Sequence, residues 1–183
     1  HCISSAASDV YKRQVHNTAV FSAIAVPLAV VLSLLLAIVL ESKLPFRSQF
    51  RTFFLSPMMV PVASIVLIWQ VLFHYNGAVN DLLGVFGIEK IDWLKSSYSI
   101  IVIVILFLWK NLGYNMILFM AALQSIPTDI LEAARIDGAS TGQIFKYIQI
   151  PAIMLMVDFV LFDNIRGALQ VFDIPFVMTA GGP

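Results

Sequence analysis

The chain has 183 residues, equal numbers of basic and acidic side chains (11 each), 60% apolar residues and only 12% charged ones. A soluble domain of this length needs more polar surface than that, and the mean hydropathy is strongly positive, so the predicted fold class is all-α integral membrane. Zero net charge lacks the basic footprint of a nucleic-acid binder, and Cys2, the only cysteine, excludes an intrachain disulfide framework or a thiolate metal cage.

Residues 1–14 (HCISSAASDVYKRQ) are small and polar, with no periodicity joining them to the apolar run behind. They lack the apolar core of a signal peptide. They are read as a non-native extension, with native sequence expected from about Val15 and an incomplete transmembrane domain over 15–183. No charge occurs between Arg13 and Glu41, and residues 19–40 are mostly Val, Leu, Ile and Ala. A helix of about 20 residues crosses the hydrocarbon core, so a first span is predicted at about 17–40. A second, at about 52–74, has Pro57 and Pro61 near its start, which predicts a kink. A third, at about 98–123, is interrupted only by Lys110-Asn111, and a fourth, at about 147–169, carries Asp158 and Asp163. Residues 174–183 are too few to cross, so truncation at both ends is expected. His1, His16 and His74 are scattered, and no metal or cofactor is expected.

The connections differ in charge. Lys43, Arg47, Arg51, Arg135 and Lys146 lie on the first and third, whereas Lys90, Lys95 and Arg166 lie on the other side. The positive-inside rule then predicts that residues 41–51 and 124–146 are cytoplasmic.

The most informative connection is IPTDILEAARIDGASTGQIFKYIQIP, residues 126–151. Asp129 and Glu132 have capping-box spacing, predicting a short helix over 130–137 that ends at Gly138. Ser140 and Gln143 repeat the box before a second helix through Ile144, Phe145 and Ile148. Local physics leaves two readings open: a solvated connector along the headgroups, or a shaped docking element.

This stretch resembles the EAA loop of binding-protein-dependent, ATP-driven importer permeases. The pattern fits at Glu132, Ala133, Ala134, Asp137, Gly138, Ala139, Phe145, Ile148 and Pro151. Beyond the loop (residues 126–147), the chain is similar to the carbohydrate branch of the maltose and glycerol-3-phosphate type. Asn17-Thr18 opens the first run, FRTFFLSPMMVP begins the second, GYNMILFMAALQSIP ends the third and VFDIPFVMTAGGP closes the chain. The resemblance implies a transmembrane helix bundle of the importer-permease type, multi-pass in a bacterial inner membrane. It implies that residues 130–137 are a coupling helix docked on cytoplasmic ATP-binding subunits, with Gly138 permitting the turn. A second homologous permease subunit, an extracytoplasmic solute-binding protein, membrane lipid and a sugar-like solute are the further implied partners. The chain is then a transport subunit and not an enzyme; its 183 residues carry no G-x-x-x-x-G-K-[ST] phosphate loop. Many relatives have a second proline where this chain has Leu155, so the entering helix is expected to kink less.

Polar side chains inside spans are costly and mark a path or a partner. Lys110, Asn111 and Tyr114 share a face of the third span, and Asp163 and Asn164 share a face of the fourth. Amide, hydroxyl and charge beside Trp109 suit a polyhydroxylated ligand, and positions equivalent to Asn111, Tyr114 and Asn164 line the translocation path in maltose-type relatives. The structural alternative is pairing, Asp163 with Arg166 at i+3 and Lys110 with an acid of a neighbouring span. A phosphate ester would need a cation, for which Lys110 is the intramembrane candidate. Two rival functions are an ion-coupled secondary transporter relaying through Asp158, Asp163 and Lys110, and a membrane-embedded enzyme. The first has no use for an EAA loop, and the second lacks a convergent set of nucleophiles or ligands. An importer permease for a non-sugar solute also fits the loop.

Overall fold

A computed structural model describes residues 2–41, 47–96 and 98–170, and the fold there is entirely helical. His1, Lys43 and the closing segment 174–183 lie outside the described residues. Helix α1 (Cys2–Glu41) is continuous, running unbroken across the expected 14/15 boundary. Its membrane-length portion is Gln14–Glu41. Helix α5 (Ser99–Gln124) has 26 residues and is therefore about 39 Å long, enough to cross a bilayer.

Why α1 and α5 pack closely is written in small residues. Ala25, Ala29, Ser33 and Ala37 recur every fourth position on α1, and each is 0% exposed. Where apolar lipid offers no hydrophobic drive between helices, such a stripe lets backbones approach for van der Waals contact. The hydroxyl of Ser33 is satisfied within α1, donating to the Ala29 carbonyl at 2.5 Å. Around the α1 surface, Ile24, Leu28, Val31, Leu35 and Val39 point outward and exposed. A helix apolar on both its packed and its outer faces belongs in lipid, not in a soluble bundle.

Helix α9 (Met154–Leu169) completes the central group with α1 and α5. The three meet at Phe107 of α5, whose ring packs edge-on against Phe21 of α1 with centroids 5.4 Å apart. Cε2 of that ring lies 3.9 Å from where a Cβ on Gly167 of α9 would sit.

Helices α2 (Arg47–Met59) and α3 (Val62–Leu72) form the second apolar segment. The predicted kink is a break of 100° between them. Pro61 caps α3 and cannot donate a hydrogen bond back into α2, while its carbonyl accepts from Ser64 and Ile65 at 3.1 and 3.2 Å. A short helix α4 (Ala78–Val85) follows, before α5 begins.

Entry into α9 differs from expectation. Helices α6 (Thr128–Ile136) and α7 (Thr141–Ile144) are followed by a π-helical turn over Phe145–Gln149, then α8 (Ile150–Ala152). The bend between Thr141–Ala152 and Met154–Leu169 is 65°, with Leu155 in the first turn of the helix that follows it. The π turn relieves the clash of the Pro151 ring with the preceding turn by shifting the hydrogen-bond register, so the Ile150 N–H donates to the Phe145 carbonyl. One proline plus one register shift is sufficient for the bend.

Candidate coupling loop and intramembrane polar residues

Helix α5 ends at Ser125, and the buried side chain of Ile126 pins the following turn to the core. Helix α6 begins at Thr128, two residues earlier than predicted. The Asp129–Glu132 capping box is not formed: the N-cap is Pro127, with no side-chain cap bond. Pro127 has φ −57°, already suited to a helix start, and it sets the N-cap two residues before Asp129, the cap the box required. Asp129 lies instead in the first turn, where a negative charge favours the helix dipole.

The far end of α6 is built as predicted, in more detail. Gly138 has φ +84°, the left-handed conformation that favours glycine. Its N–H donates to the Arg135 carbonyl at 3.1 Å, and the Ala139 N–H donates to the Ala134 carbonyl at 3.0 Å. These two bonds make a Schellman closure. Ser140 then starts α7 with a complete capping box: its Oγ accepts from the Gln143 N–H at 3.4 Å, and Gln143 Oε1 accepts from the Ser140 N–H at 2.8 Å. Only Gly138 and Ala139 separate the cap of one helix from the cap of the next.

No residue of α6 is buried. Glu132, Ala133, Asp137 and Gly138 are exposed, while Ala134 and Ala139 are half-buried. Leu131 alone of the α6 side chains packs toward the core, and Ile136 is 86% exposed. The helix is thus a shaped projection, at the end of α5 opposite α4.

The polar residues within the spans divide differently from the sequence prediction. Asn111 Nδ2 donates to the Phe107 carbonyl one turn back at 2.8 Å, and Tyr114 is half-buried. Asn164 faces α5 and is buried, its Nδ2 donating to the Val160 carbonyl at 2.7 Å. Asp163 points elsewhere and accepts from Arg166 Nη2 at 2.7 Å, the i+3 pairing given as the structural alternative. Lys110 is half-buried and forms no ion pair with an acid among the described residues.

Two functional-looking asparagines escaped sequence reading. Asn115 Nδ2 donates to Asn164 Oδ1 at 3.2 Å, the side-chain bond tying α5 to α9. Its only signal was its place one turn after Asn111. Asn80 of α4 is fully buried and organises residues 75–93. Its Nδ2 donates to the carbonyls of Tyr75 (3.0 Å) and Ile91 (2.7 Å), and its Oδ1 accepts from the Ile91 N–H (3.2 Å) and Trp93 Nε1 (3.0 Å).

Bilayer-length helices, a proline-broken segment and a capped helical projection between two spans define a polytopic membrane transport component. The chain belongs to the family described as the binding-protein-dependent transport system inner membrane component, whose profile matches residues 19–174. It is 37% identical over 131 residues to the trehalose/maltose transport system permease protein MalF of Thermococcus litoralis, covering 70% of this chain and 44% of that one. Identity to the sulfoquinovosyl glycerol transport system permease protein SmoG of Agrobacterium fabrum is also 37%, covering 70% and 42%. The lactose transport system permease protein LacF of Rhizobium radiobacter is 33% identical over 183 residues, 95% of this chain and 60% of that one. The chain therefore spans roughly half the length of these relatives. Its fold is similar to that of a bacterial ABC transporter involved in import of the acidic polysaccharide alginate, with a TM-score of 0.82 at 20% identity, over 94% of this chain and 65% of that one.

Proposed function

We propose that this chain is a permease subunit of an ATP-driven importer that carries a carbohydrate or related solute across a bacterial inner membrane. The observation that carries the reading is α6: an exposed helix at one end of the span α5, closed by Gly138 and followed at once by a second capped helix. Such an element can move as a rigid body and take the bent α7–α9 segment with it. On this reading Glu132, Ala133, Ala134, Asp137, Gly138 and Ala139 form the contact with cytoplasmic ATP-binding subunits. The basic residues Arg51, Arg135 and Lys146 support a cytoplasmic position for that end. A second, homologous permease subunit completes the translocation path, and an extracytoplasmic binding protein delivers the solute. The names of the relatives, which transport trehalose and maltose, lactose or sulfoquinovosyl glycerol, support a sugar-like solute.

Lys110, Asn111, Tyr114, Asp163 and Asn164 are the proposed path residues. Lys110 lies near the middle of α5, about 16 Å from one end and about 21 Å from the other at 1.5 Å per residue. A lysine side chain cannot snorkel that far, so its ammonium needs water, a solute or a partner within the bundle.

The test is co-expression of the full-length gene with its operon neighbours, followed by measurement of which solute stimulates ATP hydrolysis. Gly138→Asp is expected to abolish that stimulation while the subunits still insert. Normal coupling in this variant would remove the docking assignment. Solute uptake that persists without the ATP-binding subunits would replace the reading with an ion-coupled transporter.

A further inference from the structure

The segment between α3 and α5 carries an apolar surface that the transport reading leaves unused. On α4, Leu82, Val85 and Phe86 lie at i, i+3 and i+4 and are 63%, 80% and 75% exposed. Asn80 projects from the opposite side of the same helix and is completely buried. Helix α4 is therefore amphipathic in an inverted sense: its polar anchor is inside and its apolar stripe outside.

The stripe is held rigidly. Gly77, which caps α4, sits so close to the last turn of α3 that a Cβ there would overlap the carbonyl oxygens of Val71 and Leu72. The four hydrogen bonds of Asn80 tie the other side of α4 to Tyr75, Ile91 and Trp93. A segment fixed at both its start and its underside cannot turn its apolar side chains inward.

Three observations identify what covers them. First, α4 lies at the end of the span: it follows α3 within a few residues and precedes the first turn of α5. Second, a chain of aromatic contacts marks that level. Trp69 stacks on Phe73 at 5.3 Å, Phe73 meets Trp93 edge-on at 5.8 Å, and Trp93 lies 5.9 Å from Tyr98 at the start of α5. Tryptophan and tyrosine collect where acyl chains meet headgroups, because their rings are apolar and their N–H and O–H groups are polar. Third, the exposed side chains preceding α4 on α3, Leu67, Ile68 and Val71, are apolar as well, so the outward surface leading into the stripe already belongs to lipid. Asp81 is exposed in the first turn of α4, at the edge of the stripe, and the other charged residues of the segment follow it: Glu89, Lys90, Asp92 and Lys95 are exposed, and Lys90 Nζ donates to Asn76 Oδ1 at 3.1 Å.

We infer that α4 is an interfacial membrane anchor, lying in the headgroup–acyl boundary at the end of the bundle opposite α6, with Leu82, Val85 and Phe86 inserted into lipid. Burial of three large apolar side chains there holds the outer ends of α3 and α5 at a fixed depth. The anchor depends on the membrane character of the chain and not on which solute crosses.

The test uses the full-length permease in its assembled transporter, in lipid nanodiscs, with any other cysteine replaced by serine. Val85→Cys, Phe86→Cys and Asp92→Cys are each labelled with an environment-sensitive fluorophore. Expected at 85 and 86 are a blue-shifted emission, strong quenching by lipids bearing a nitroxide near the headgroup, and iodide quenching at least severalfold weaker than at 92. Iodide quenching at 85 and 86 equal to that at 92 would place the stripe in water and overturn the inference. Protection from both iodide and nitroxide lipid would overturn it too, because protein would then cover the face.

Discussion

Gly113 of α5 lies against the backbone of Phe54 in α2, so close that a Cβ at position 113 would overlap the Phe54 carbonyl oxygen. The obstacle is backbone, which cannot rotate away as a side chain can. Gly113→Ala is therefore expected to push α2 off α5. Overpacking of this kind typically costs about 1–3 kcal/mol, and a backbone clash falls at the upper end. Thermal melting of the detergent-solubilised transporter should show a clear loss for Gly113→Ala. Gly167→Ala should be close to neutral, since its nearest neighbour is the Phe107 ring at an ordinary contact distance of 3.9 Å. Equal melting temperatures for the two variants would contradict the crossing geometry.

Gly138 poses the opposite case, because a Cβ there would meet nothing within 4 Å and only its backbone conformation resists substitution. Gly138→Val should cost about 1–2 kcal/mol locally, and Gly138→Asn less, since asparagine visits the left-handed region more readily. Helix α6 contributes no buried residue, so global melting should barely move. Under the proposed coupling role, the number of solute molecules imported per ATP hydrolysed should fall in the order Gly, Asn, Val. Gly142→Ala, also in open space but without a positive φ, is the matched control and should leave that ratio unchanged.

Asn115 and Asn164 allow a structural role to be separated from a role in the path. Asn115→Leu leaves Asn164 Oδ1 without its donor, a loss of about 1–3 kcal/mol if that oxygen stays dry. Interhelical bonds in bilayers average about 0.6 kcal/mol, which sets the lower bound. The double variant Asn115→Leu/Asn164→Leu should recover part of the lost melting temperature. If uptake stays low in a double variant that melts normally, Asn164 also contacts the solute; recovery of both together would assign the pair to helix packing alone.

Asp163 and Arg166 form a pair whose arginine is 69% exposed. Such pairs contribute about 0–1 kcal/mol. Asp163→Asn should leave melting unchanged. Under the proposed path it should raise the KM for solute uptake, and an unchanged KM would remove Asp163 from that path.

Much of this architecture was readable because it rests on local sequence. The long apolar runs that became α1 and α5 needed only length and composition, and Gly138, Ser140 and Gln143 acted through neighbours within three residues. The Asp129–Glu132 box failed because Pro127 offered a competing start, a choice between two local signals that spacing alone does not decide. Pro57 and Pro61 foretold a kink, but its size, 100°, depends on where α2 rests on α5. The 65° entry to α9 arose from a register shift that no residue type announces. Asn80 and Asn115 act through partners 11 and 13, or 49, positions away, and a lone asparagine in a sequence carries no mark of such a distant partner.

The two-residue joint between α6 and α7 draws its geometry from main-chain hydrogen bonds and one serine–glutamine exchange, and none of these bonds uses the side chain of Ile130, Arg135 or Ile136. Shape and outward identity are thereby separable. Under the proposed docking role, those side chains could be rewritten for a different motor protein while the joint keeps its angle, so one scaffold could be retuned to new engines by changing its paint and leaving its hinge-pin alone.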